Sequence, residues 1–147
     1  MPEYKTILTT TDFSDPALLG VRYAADLAAK LNCKLILAYV VEERLPALIL
    51  AASSEPIDAI IESHREHAEK SLSEYAEEHL SGTEVETVVL HGFPHAAIVE
   101  LARARTVDLI VLGTHGHGFV GRMLMGSTTE RVIHEAPCPV MVVPSPR

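Results

Sequence analysis

The sequence predicts a doubly wound α/β fold, with five parallel strands in one sheet and helices on both of its faces. Three observations carry that expectation. Short β-rich or apolar runs occur five times, separated by segments of helical periodicity. The run Leu35 to Val41 is almost unbroken in apolar residues, the pattern of a strand covered on both sides. The densest group of glycines falls between a predicted strand end and a predicted helix start, where folds of this class place their ligands.

Taken in chain order, Lys5 to Thr11 reads as the first strand. Asp15-Pro16 predicts a helix start, with Asp15 as the cap and Pro16 as the first helical residue. Leu18, Val21, Ala24, Ala25, Ala28 and Leu31 then recur at helical spacing and form one covering face. Leu35 to Val41 is the second strand, and Glu42 to Glu55, with Pro46 among its leucines, reads as a partly buried loop. From Ile57 to about Leu80 a helix is expected to bury Ile57, Ile61, Ala68, Leu72 and Tyr75, leaving its many glutamates solvated. Val85 to Leu90 is the third strand, and Gly92-Phe93-Pro94 turns the chain into a helix carrying Ile98, Leu101 and Ala102. Val107 to Leu112 follows as the fourth strand, Ser127 to Glu135 as a short helix and Val140 to Val143 as the last strand.

Composition narrows the function. A chain of 147 residues, 48% of them hydrophobic, suits a single domain over residues 1–147. Twelve Lys and Arg against twenty Asp and Glu give a net charge of −8, which argues against a nucleic-acid partner. Cys33 and Cys138 supply neither a disulfide framework nor a C-x-x-C motif, and both read as small buried hydrophobes. The N-terminal residues show no export signal and no segment has the length of a membrane span, so a cytoplasmic protein is expected.

The chemistry concentrates in the segment from Gly113 to Ser127, which holds Gly113, Gly116, Gly118, Gly121 and Gly126. Such a density suggests backbone N–H groups presented to an anion just ahead of a helix N-terminus, with Gly126 at positive φ. Gly116-x-Gly118-x-x-Gly121 matches the dinucleotide-binding letters, but the helix starts later and no acid stands between Cys138 and Pro144. Gly116-x4-Gly121-Arg122-Met123 has the P-loop spacing without its lysine or hydroxyl. Ser127 and Glu130 form an S-x-x-E capping box. His115 and His117 make an H-x-H pair with no further ligand at a recognisable spacing, so no metal site is expected. His64 and His67 read as solvated or boundary residues of the acidic helix. Asp12 lies farther from the first helix start than Ser14 and Asp15, which favours a ligand role over a capping one. A phosphorelay receiver is disfavoured because Leu90-His91-Gly92 and Val143-Pro144 lack its aspartate and lysine. A flavin carrier is disfavoured by the scarcity of aromatic rings.

What remains, Gly113-x2-Gly116-x9-Gly126-Ser127, resembles the ATP-binding branch of the universal stress protein family. The resemblance continues through Thr128 to Ile133 and Ala136-Pro137-Cys138-Pro139-Val140, and recurs at Asp12-Phe13-Ser14 and Gly92-x-Pro94. It implies an adenine nucleotide alpha hydrolase-like domain with strand order 3-2-1-4-5. By the same resemblance, Thr10, Thr11 and Asp12 contact adenine and ribose, and Val40 lines the adenine pocket. Leu112, Gly113, His115 and Gly116 correspond to ribose and α-phosphate contacts, and Gly126, Ser127, Thr128 and Thr129 to the cradle of the outer phosphates. Thr10 stands where the family usually has proline, and His117 where it often has a cation. The implied cofactor is ATP, with any Mg2+ held by its phosphates. No lysine or clear carboxylate pair is placed against the phosphates, so at most slow hydrolysis is expected. The implied role is a regulatory or stress-response module that dimerises with itself through Val140 to Val143, an uncharged strand at a sheet edge. The alternative is a family member that binds no nucleotide and acts through protein contacts.

Overall fold

The computed structural model describes residues 3–42, 56–114 and 126–146. Its elements are β1 (Thr6–Thr10), α1 (Asp15–Leu31), β2 (Lys34–Val41), α2 (Ile57–His79), β3 (Val85–His91), α3 (Pro94–Ala104), β4 (Leu109–Gly113), α4 (Ser127–Glu135) and β5 (Val140–Val143). The five strands form one sheet in the order β3-β2-β1-β4-β5, and every neighbouring pair is parallel. The expected fold and strand order are therefore both present.

Alternation along the strands divides the core in two. Ile7, Leu35, Leu37, Leu109 and Val111 face one way and pack with Val21, Ala24 and Ala28 of α1 and with Leu72, Tyr75 and Ala76 of α2. Leu8, Ile36, Ala38, Ile110 and Leu112 face the other way, onto Ile98, Leu101 and Ala102 of α3 and Val132 of α4. Ile7, Leu8, Leu35 and Leu37 are fully shielded from solvent. Each buried side chain of this size stabilises the fold by about 1.5–3 kcal/mol. With α1 and α2 on one face and α3 and α4 on the other, strand order reverses between β1 and β4. In folds of this class such a reversal forms a crevice beyond the C-terminal ends of the two strands.

Several boundaries differ from expectation for local reasons. Ser14, not Asp15, caps α1: its backbone is extended and its hydroxyl accepts from Ala17 N–H, so Asp15 joins the first turn beside the helix dipole. Leu31, the last residue of α1, is exposed because Asn32 turns the chain at φ 55°. In α2 the buried stripe runs through Ile60, Ala68, Leu72, Tyr75 and Ala76. Ile57 and Ile61 fall outside it and are 56% and 45% exposed. β4 starts at Leu109 rather than Val107, because Thr106 at φ 51° and the side-chain bonds of Asp108 shape the entry. Both cysteines are half-buried rather than buried, and Cys33 donates to the Tyr4 carbonyl at 3.1 Å. Burial pushes both thiols above their ordinary pKa, with the Asp108 carboxylate adding to the effect. The expected loop of residues 42–55 lies outside the described residues beyond Glu42.

Candidate functional site

Two segments meet the crevice from its two sides. The first is the turn from β1 to α1. Thr11 N–H donates to Ala38 O at 3.0 Å, which continues the pairing with β2 past the strand end. The turn then closes on itself: Phe13 N–H donates to Thr11 Oγ1 at 2.9 Å and Ser14 N–H to Asp12 Oδ1 at 3.0 Å. Ser14 Oγ donates to the same carboxylate oxygen. Phe13 sits at φ 68°, a left-handed conformation that costs a non-glycine residue on the order of 1–3 kcal/mol. Its ring packs on Tyr39 at 4.7 Å and edge-on to Tyr75 at 5.4 Å between centroids. Each such pair contributes about 0.5–1.5 kcal/mol beyond area burial, enough together to hold the turn.

The second segment joins the end of β4 to the start of α4. Gly113 belongs by alternation to the face covered by α1, and a Cβ there would lie 2.5 Å from Pro16 O. Gly20 returns the contact, since its Cβ would lie 2.8 Å from Gly113 N. Helix and strand backbones therefore touch, and packing alone requires glycine at 113, a need that the anion argument had overlooked. Gly126 N–H donates to Thr114 O at 2.7 Å. Thr114 Oγ1 is sealed from solvent and has no hydrogen-bond partner among the described residues.

At the head of α4 the capping-box reading is corrected. Gly126 is the cap, with no side-chain cap bond, and Ser127 is already the first helical residue. Gly126 also has φ −61°, so positive φ is not its reason for being glycine. The first helical bond runs from Glu130 N–H to Gly126 O at 3.1 Å, so the amides of Ser127, Thr128 and Thr129 precede the ladder. Thr129 is buried and its hydroxyl donates to Gly113 O at 3.1 Å, a structural tie that uses the one hydrogen it could give a phosphate. Ser127 is exposed and Thr128 half-buried.

The remaining expected residues divide by face. Thr10 and Val40 fall on the α3/α4 face by strand alternation, as does Leu112, which is buried. Asp12 and Thr11 lie just past the end of β1. The structure thus brings Thr10, Thr11, Asp12, Val40, Leu112, Gly113 and the Gly126 to Thr129 segment to the C-terminal end of the sheet. His115 and Gly116, like His117, lie outside the described residues. Among the described residues no group of three His, Cys, Asp or Glu is placed to hold a metal.

The residues that sequence reasoning missed are aromatic. Phe13 of the β1–α1 turn, Tyr39 of β2 and Tyr75 of α2 converge on the α1/α2 face, opposite Val40. They border a groove of about 540 Å³ also lined by His64, His67 and Val41. Burial raises the Tyr75 phenol pKa, and nearby Thr11 opposes the shift, although the hydroxyl makes no bond of normal geometry among the described residues. Nothing in the local sequence marks these three rings as neighbours.

Fold and site define a class: a doubly wound α/β domain with a carboxylate-bearing turn and a helix N-terminus that begins on a glycine cap, at the point where strand order reverses. The sequence profile of the universal stress protein family matches residues 3–144. The chain is 37% identical to universal stress protein MJ0531 of Methanocaldococcus jannaschii over 145 residues, 98% of this chain and 84% of the relative. Among solved structures, MJ0577 superposes with a TM-score of 0.82 at 28% identity, over 99% of both chains. UspA from Lactobacillus plantarum does so with a TM-score of 0.78 at 28% identity, over 97% of this chain and 99% of that one. A universal stress protein solved in complex with cAMP matches at 28% identity and a TM-score of 0.61, covering 97% of this chain and 98% of its own. The chain belongs to the universal stress protein family.

Proposed function

We propose that this protein is an ATP-binding regulatory or stress-response module of the cytoplasm that hydrolyses its ligand slowly if at all. The observation that carries the reading is the placement of the Asp12 turn and the glycine-capped start of α4 at the same end of the sheet, where strand order reverses between β1 and β4. A carboxylate there suits the hydroxyl and amine donors of a nucleoside, and a helix N-terminus suits its phosphates. A family relative bound to cAMP supports the adenine nucleotide class. In this reading Thr10, Thr11, Asp12 and Val40 meet the nucleoside, and Leu112, Gly113, His115 and Gly116 the ribose and first phosphate. Gly126, Ser127 and Thr128 meet the outer phosphates, with Thr129 contributing its backbone. Any Mg2+ is held by the phosphates. The test is mass spectrometry of small molecules released from the purified, denatured protein, followed by calorimetric titration of the emptied protein with ATP. Adenine nucleotide near one per chain is the expected result. Repeated absence together with no heat on titration overturns it in favour of action through protein contacts alone.

The same proposal includes a homodimer through β5. Among the described residues that strand pairs only with β4; it carries no charge and leaves Met141 38% exposed, which is an unprotected edge. Light scattering at micromolar concentration should report about twice the chain mass. Met141→Lys should lower it toward one chain, and a variant that remains fully dimeric would place the interface elsewhere.

A further inference from the structure

Resting on the nucleotide reading above, we propose that Phe13 is a positioning residue for Asp12, acting through its aromatic seat rather than by touching the ligand. Three independent features meet at this residue. Its backbone is at φ 68°, where an aromatic side chain is out of place unless its surroundings hold it. Its ring is keyed between Tyr39 of β2 and Tyr75 of α2 on the α1/α2 face, away from the Val40 side of the sheet. Its own N–H and that of the next residue form the bonds that shape the turn, to Thr11 Oγ1 and to Asp12 Oδ1.

These features form one device. The chain leaves β1 at Thr10 and must enter α1 at Asp15, so only four residues reverse its direction. Within them, the left-handed residue sets where Ser14 falls, and Ser14 both caps α1 and binds the Asp12 carboxylate. The ring therefore fixes the turn from behind the sheet while the carboxylate is presented at its end. Phe13 is still 36% exposed, so its ring is a clamp at the surface and not a piece of deep core. Losing it should disturb the turn more than the fold.

The experiment compares wild type with Phe13→Ala, Phe13→Gly and Phe13→Tyr, using calorimetric titration with ATP and separately with inorganic triphosphate. Thermal unfolding and amide exchange of Ser14 are followed alongside. Phe13→Ala and Phe13→Gly should weaken ATP at least about tenfold while leaving triphosphate unchanged, because Asp12 serves the nucleoside end. Phe13→Tyr keeps the ring and should bind as wild type does. Glycine adopts φ 68° without strain, so wild-type ATP affinity in Phe13→Gly would overturn the role of the ring. Parallel losses for ATP and triphosphate that track a fall in unfolding temperature would reduce Phe13 to packing and also overturn it. Should wild type bind no ATP, the nucleotide reading fails by itself. Ser14 exchange then decides whether Phe13 holds the turn: acceleration in Phe13→Ala is expected, and an unchanged rate refutes the clamp.

Discussion

The two ends of the sheet are built in opposite ways. At the N-terminal end, Asp108 accepts from the amides of Lys5 and Thr6 at 2.8 and 2.9 Å, and Glu86 accepts from Lys34 at 2.8 Å and from both arms of Arg105. Glu86 is thus matched by two cations and Asp108 by two backbone amides. At the C-terminal end, Thr114 keeps a sealed hydroxyl with no partner among the described residues, and α4 starts on a glycine that offers no side chain to cap it. Left-handed backbone is shared by both ends, since Asn32 and Thr106 adopt it before β2 and β4 as Phe13 does after β1. The difference lies in the polar groups, which are satisfied at the end that holds the fold and left available at the end where the crevice lies.

The contrast is broken most severely at Gly113, which belongs to both tasks. Gly113→Ala places a methyl group against the Pro16 carbonyl and should destabilise the domain by about 3 kcal/mol. Urea unfolding measures it, and a loss near zero would show that α1 can move aside. Next in size, Asp12→Ala should cost roughly 1.5–3 kcal/mol of ATP affinity, together with about 1 kcal/mol or more of stability because the buried Ser14 amide loses its acceptor. Equal losses for ATP and inorganic triphosphate would move Asp12 away from the nucleoside.

The smallest effect belongs to the opposite end. Lys34 first, then Arg105, holds the Glu86 carboxyl below its ordinary pKa. A depressed folded-state pKa adds stability that is complete above the unfolded carboxylate value and disappears as pH falls through the folded one. The side chain is 32% exposed, so solvent screening limits Glu86→Gln to about 0.5–1 kcal/mol at neutral pH. The gap to wild type should close below about pH 4. A gap that persists in acid would assign the loss to packing instead of charge.

Much of this arrangement was legible in the sequence, because periodicity reports which side of an element faces the core. The apolar run of β2 and the helical spacing in α1 gave those elements to within a residue or two. What failed depended on phase or on distance. Ile60 replaces Ile57 and Ile61 on the buried stripe because one residue turns a helix by about 100°. Ser14 displaces Asp15 as cap because a hydroxyl in an extended residue reaches the Ala17 amide. The site was half readable: Asp12 and the α4 start stood out by type and position. The bond from Thr129 to Gly113, the pairing of Gly20 with Gly113 and the meeting of Phe13 with Tyr39 and Tyr75 join residues far apart in the chain. No local pattern records them.

The contact between Gly20 and Gly113 also bears on how the protein responds to warming. A junction made by side chains has rotamers, and these loosen progressively as temperature rises. A junction of main chain against main chain has none, and here Gly113 is tied in addition to α4 through Thr129. The separation between the start of α1 and the end of β4 should therefore stay nearly constant until the whole domain unfolds at once. For a protein of this family, the dimensions of the crevice would then be the same in a heated cell as in a cool one.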